Sequence, residues 1–176
     1  MKKLLTLLLV LCLGIAFVGC DEDDDDDEKS SSGSSYEMAL DKYFKAIEKG
    51  DGEMIKNCMP LYQIEYMEKQ RGDDFDIDEY YEKMGDQMLE YLEHDYGDNI
   101  KITYKIKEDV KFKIEKLDDI EDDIEDKYDV DVDVSAAYKL KVKMTIKGDE
   151  DEDVDNITMT VSKVDGKWYV TDGGLL

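Results

Sequence analysis

The sequence predicts an α+β fold in which N-terminal helices pack on a curved antiparallel sheet. Three observations carry this expectation. Between residues 36 and 95, apolar side chains recur every three or four positions. From residue 100 onward they recur at every second position. The two regimes follow one another instead of interleaving, which is the order of an α+β domain and not of a parallel α/β one.

The helical half begins at Tyr36. Tyr36, Leu40, Tyr43, Phe44 and Ile47 make one apolar stripe on a helix running to about Lys49. Ser34 and Glu37 have the spacing of a capping box, and Gly50 suits the C-terminal stop. Asp51 can cap a short second helix carrying Met54, Ile55 and Cys58. Pro60, the only proline, interrupts it and opens the next turn with Leu61, Ile64 and Met67. After the Gly72-Asp73-Asp74 loop, Asp78 is expected to cap a longer helix to about Asp95. Tyr81, Met84, Met88 and Leu92 share one face of it, and Gly97-Asp98 ends it.

The strand half begins at Ile100. Ile100, Ile102, Tyr104, Ile106, Val110, Phe112 and Ile114 keep one parity, as one bent strand or as two broken near Glu108-Asp109. Leu117, Ile120 and Ile124 return to helical spacing and mark a short acidic helix. The longest alternation follows, from Val130 through Ile146. Gly148 to Asp153 is an acidic turn, and Ile157, Met159 and Val161 mark another strand. Asp165-Gly166 is a tight hairpin signal, and Lys167-Trp168-Tyr169-Val170 closes the sheet.

The chain ahead of residue 36 has a different character. Met1-Lys2-Lys3 is cationic, Leu4 to Val18 is apolar apart from Thr6 and Gly14, and small residues lead to Cys20. That is the pattern of a secretory signal, too short for a bilayer-spanning helix of roughly 20 residues. Phe17-Val18-Gly19-Cys20 resembles the lipobox of bacterial lipoproteins. The resemblance implies cleavage after residue 19 and lipidation of Cys20, whose two acyl chains suffice for stable anchoring. Asp21 resembles the signal that retains a lipoprotein in the inner membrane. The expected localisation is the outer side of the cytoplasmic membrane, with the lipid on Cys20 as the membrane contact. Residues 20–35, Asp-rich and then Ser/Gly-rich, are expected to be a disordered tether, which leaves residues 36–172 as the folded domain.

The formal net charge is −24 over 176 residues, and the chain remains strongly acidic without the Asp21–Glu28 run. Such a charge argues against nucleic acid as a partner, because that affinity comes largely from neutralising phosphates. Of the three cysteines, Cys12 leaves with the signal and Cys20 takes lipid. Cys58 then has no partner for an intrachain disulfide and is expected to serve as a small hydrophobe in the core.

Two segments carry a family resemblance. YFKAIEKGDGEMIKNCMP, residues 43–60, looks like the first helix, Gly-Asp turn and second helix of the nuclear-transport-factor-like (cystatin-like) cone fold. VSKVDGKWYV, residues 161–170, looks like its last hairpin, where a Trp packs into the cone. The resemblance spans most of residues 36–171 and implies a small lipoprotein of the kind familiar in Gram-positive bacteria. The acidic helix between strands and the lysine-rich long strand depart from the pattern.

No catalytic constellation is legible. His94 is the single histidine and is expected at a helix end, where its cationic form suits the dipole. Glu108 shares the parity of buried positions, so it is either a pocket acid or a residue at a bulge. Asp149, Asp151, Asp153 and Asp155 alternate like calcium ligands. With Asp149 as position one, Val154 and Thr160 fall where an EF-hand needs Gly and Glu. Only a weak loop-based cation site remains conceivable there.

The lysines give a clearer pattern. Lys101, Lys105, Lys107, Lys111 and Lys113 share the outward parity of the first strand, and Lys139, Lys141, Lys143 and Lys147 that of the long one. If the two strands are neighbours, they make a basic face on an acidic protein. Asp129, Asp131 and Asp133 are candidates to balance it. The expectation is a monomeric, non-catalytic interaction module without a cofactor, docking an envelope protein or polymer. A small-molecule carrier using the cone cavity, or a cone-type isomerase or dehydratase, are the alternatives.

Overall fold

In the computed structural model, which describes residues 35–173, the change of period near residue 100 is a change from helix to strand. The expected signal peptide, the lipidated Cys20 and nearly all of the tether fall outside the described residues.

Helix α1 (Tyr36–Lys49) ends as its sequence requires. Gly50 adopts the left-handed conformation at φ 59°, and its N–H donates to Ile47 O at 3.1 Å. The expected capping box rests on Ser34. Ser35 stands at the N-cap and makes no side-chain cap bond, and Ser34 lies outside the described residues. Helix α2 (Gly52–Asn57) is capped by Asp51, which accepts from Met54 N at 2.9 Å. Pro60 starts helix α3 (Leu61–Arg71). Helix α4 (Ile77–Tyr96) is capped two residues earlier than expected. Asp76 accepts from the N–H groups of Asp78 and Glu79 at 3.0 and 3.1 Å, and Asp78 instead pairs with Lys56 of α2. Asp76→Ala should cost about 1 kcal/mol of stability, measured by urea unfolding, whereas Asp78→Ala should cost less.

The strands form one antiparallel sheet in chain order: β1 (Lys101–Lys111), β2 (Val134–Lys147), β3 (Glu152–Val164) and β4 (Lys167–Asp172). Asp165 and Gly166, both at positive φ, make the expected two-residue hairpin between β3 and β4. Helix α5 (Ile114–Tyr128) is the acidic helix, and it lies between β1 and β2 in sequence. The fold is thus α+β, with N-terminal helices followed by a curved antiparallel sheet. Two ends differ from the expectation. Ile114 opens α5 at 77% exposure instead of continuing a strand, and the long alternation becomes strand only at Val134.

The two faces of the sheet are covered differently. Tyr104, Tyr138, Leu140, Val142, Met144 and Ile146 lie on the face under α1, where the Phe44 and Tyr104 rings meet at 4.8 Å. Trp168 of β4 is half-buried there, with its ring 5.8 Å from those of Tyr36 and Tyr138. Helices α2 and α4 pack against α1 and each other. Among the described residues, the opposite face is covered only at one end. There Leu117, Ile120 and Ile124 of α5 join Val134, Ala137, Val164 and Tyr62 of α3 in a second apolar cluster. Val130 and Val132 pack against this cluster from the segment leading into β2.

Burial also sets the titration of the tyrosines. Desolvation pushes the Tyr62, Tyr81 and Tyr96 hydroxyls up to about 12. Tyr36 and Tyr104 are raised by burial first, and then by hydrogen bonds to Asp109 (2.9 Å) and Asp41 (2.8 Å). The unfolded chain loses these protons near pH 10, while the fold holds them. Their contribution is therefore complete below about pH 10 and is lost as pH rises toward 12. Urea midpoints should fall over that window, and tyrosinate absorbance should lag behind a simple pH 10 titration until the protein unfolds.

Candidate functional site

The uncovered part of the second sheet face is the candidate site, and its side chains are mainly lysines. Antiparallel pairing sets Lys101 directly across from Lys147, and Lys105 across from Lys143. Residues so opposed point to the same face, with Cβ atoms roughly 5 Å apart. Lys139 and Lys141 continue the β2 row, and all six are exposed. Three neighbouring positions of β3 are uncharged: Asn156 opposes Lys143, Thr158 opposes Lys141 and Thr160 opposes Lys139.

The register shift between Ile106 and Glu108 divides the lysines of β1. A bulge places one extra residue, Lys107, in the strand and reverses the parity beyond it. Glu108 thereby joins the lysine face, and its Oε2 lies 2.6 Å from Lys141 Nζ. It is an exposed residue at a bulge and not a pocket acid. Val110, expected inside, turns outward opposite Lys139 and is 57% exposed. Lys111 moves to the other face, opposite Tyr138, and Lys113 precedes α5 at its N-cap position. The expected nine-lysine face is therefore a face of six, with Lys107 at its bulged rim.

Few acids answer these cations. Lys147 pairs with Glu152 at 3.2 Å and Lys141 with Glu108. Among the described residues, Lys101, Lys105, Lys107, Lys139 and Lys143 have no carboxylate within 4.0 Å. Two of the three aspartates expected to balance the face, Asp129 and Asp133, are engaged elsewhere. Asp129 is 3.9 Å from Lys69, and the Asp133 N–H donates to Asp165 at the β3–β4 turn. The sign and spacing of these charges make the face unfavourable in isolation, because like charges directly opposed across strands are destabilising. Lys143→Glu would set opposite charges across from each other at Lys105. It should raise the urea midpoint slightly, an outcome opposite to that of most substitutions.

The other candidates are dispersed. Asp149 accepts from Asn99 Nδ2 at 2.7 Å, while Asp151 and Asp153 accept from the backbone N–H of the residue that follows each. Asp153 and Asp155 lie on the helix-side face of β3, opposite Ile146 and Met144. Among the described residues no three His, Cys, Asp or Glu side chains are grouped to hold a metal ion. His94 is exposed near the end of α4, with Nδ1 3.2 Å from Asp95 Oδ1. Cys58 is half-buried, and desolvation pushes its thiol up to about 11, so it is protonated at neutral pH.

The chain matches no protein-family model, no curated protein and no solved structure. Function must therefore be read from the chemistry of the lysine face. What it offers is an array of ammonium groups on one face of a curved sheet. Such an array recognises negative charge. Alternation alone reveals the six lysines. It does not reveal the bulge at Lys107, nor Glu48 of α1, which reaches the edge of β1 and accepts from Ile102 N at 2.7 Å.

Proposed function

We propose that this protein is a membrane-anchored, extracytoplasmic lipoprotein whose folded domain is a non-catalytic docking module for an anionic partner. The observation that carries the docking reading is the set of lysines on one sheet face that, among the described residues, have no carboxylate within 4.0 Å, in a chain with net charge −24. Generic solubility is already served by the excess of acids, so a concentrated basic face is not needed for it. The anchoring reading rests on the Phe17-Val18-Gly19-Cys20 pattern behind a cationic, apolar leader.

The test is retention of the full mature protein on immobilised polyaspartate at low ionic strength. The wild type should be retained and should elute with added salt. The K105E/K143E variant should pass through. A wild type that passes through with it ends the docking reading. Cys20→Ser should move the protein from the membrane fraction to the soluble one, and unchanged partition would end the anchoring reading.

A further inference from the structure

We propose that the anionic partner is an extended acidic polypeptide segment that adds to the sheet as a fifth strand along β1. This rests on the docking reading and names its occupant.

Among the described residues, strand β1 is the long edge of the sheet, with β2 on one side only. In an antiparallel pair, alternate residues turn both backbone groups toward the partner strand and the others turn both away. The Ile102 N–H goes to Glu48, not to β2, which fixes the phase. Tyr104 and Ile106 share that phase and turn their N–H and C=O groups outward. Beyond the bulge, Phe112 N donates to Ala137 O at 2.9 Å, so Val110 and Glu108 face β2. Glu48 closes one end of the open edge and the bulge at Lys107 bends the other. The segment between them is short, and it offers two N–H donors and two C=O acceptors in strand geometry.

The side chains beside this edge select the occupant. A strand paired to Tyr104 and Ile106 would project alternate side chains toward the lysine face. There it meets Lys101, Lys105 and Lys107, with Lys143 and Lys147 one strand behind. On the other face lie Tyr104, whose hydroxyl donates to Asp41, and the neighbouring Glu37. The matching segment carries an acid at every second position and uncharged residues between. Lysines and bulges on an edge ordinarily prevent strand addition. Here they reject a second copy of β1, which would set lysine against lysine, and admit a strand of opposite charge. An acidic strand also relieves the Lys105–Lys143 opposition that the isolated domain retains.

The probe is an acetylated, amidated peptide of alternating Asp and Thr, offered to the full mature protein at low salt. Binding should protect the Tyr104 and Ile106 amides from hydrogen exchange while the β2–β3 amides stay unchanged. N-methylation of the peptide's pairing amides should weaken binding about tenfold or more, since it removes backbone hydrogen bonds and leaves the charge. The K105E/K143E variant should lose binding of both peptides. A peptide that binds equally well when N-methylated, with Tyr104 and Ile106 unprotected, overturns strand addition and leaves a purely electrostatic face. Binding of poly(glycerol phosphate) without binding of the peptide overturns strand addition as well. Failure of every polyanion to bind overturns the docking reading itself.

Discussion

Gly85→Ala should destabilise the protein by about 3 kcal/mol, although alanine is the better helix former. In an exposed helix this exchange gains about 1 kcal/mol. Here the helix has no room for it. A methyl group at Gly85 would stand 2.2 Å from Gly50 O and 3.0 Å from Gly52 N. Both contacts are backbone, so no rotamer relieves them. Gly52 approaches α4 from the other side, where its own added carbon would meet Glu82 N at 2.5 Å. The α1–α2 turn and α4 thus touch main chain to main chain, and the variant must push them apart. Urea unfolding with an unchanged slope measures the loss. A neutral or stabilising result would mean that the two segments are not in contact.

Leu140→Ala should cost about 4 kcal/mol, near the upper part of the range for buried leucines. Leu140 is 0% exposed on β2, with strands on both sides and α1 over its face of the sheet. Paired strands hold their spacing through backbone hydrogen bonds, so the site cannot collapse to fill the void. Leu61→Ala provides the comparison. The chemical change is the same, but Leu61 is 63% exposed at the start of α3, and the cost should stay within about 0.5 kcal/mol. Similar losses for the two would contradict the packing described.

Much of this fold is legible in the sequence because its rules are local. The α1 stripe and its Gly50 stop, the Asp51 cap and the Asp165-Gly166 turn each depend on a few adjacent residues. The failures have equally definite causes. Asp76 and Asp78 both precede the α4 stripe; Asp76 is the cap, while Asp78 lies inside the helix and pairs with Lys56 of α2, a long-range contact that the local sequence does not show. Val130 and Val132 alternate as strand residues do, yet they pack on α5 before pairing begins. The lysine face is readable as parity, but parity carries no information about an inserted residue. One bulge at Lys107 moves Glu108 onto the face and Lys111 off it. The open edge of β1 is not readable at all, since strand order is a tertiary property.

Strand order also bears on how the molecule forms. β2, β3 and β4 are joined by turns Gly148–Asp151 and Asp165–Gly166, so their contacts close over short stretches of chain. β1 is separated from β2 by Phe112–Asp133, a segment that includes a whole helix. Its pairing carries the larger loop-closure entropy and contributes the most to contact order within the sheet. Loop closure alone therefore favours pairing of the three-stranded meander before β1 joins it. The edge proposed to receive a partner therefore belongs to the strand whose pairing closes the longest stretch of chain, and occupation of that edge should slow its departure.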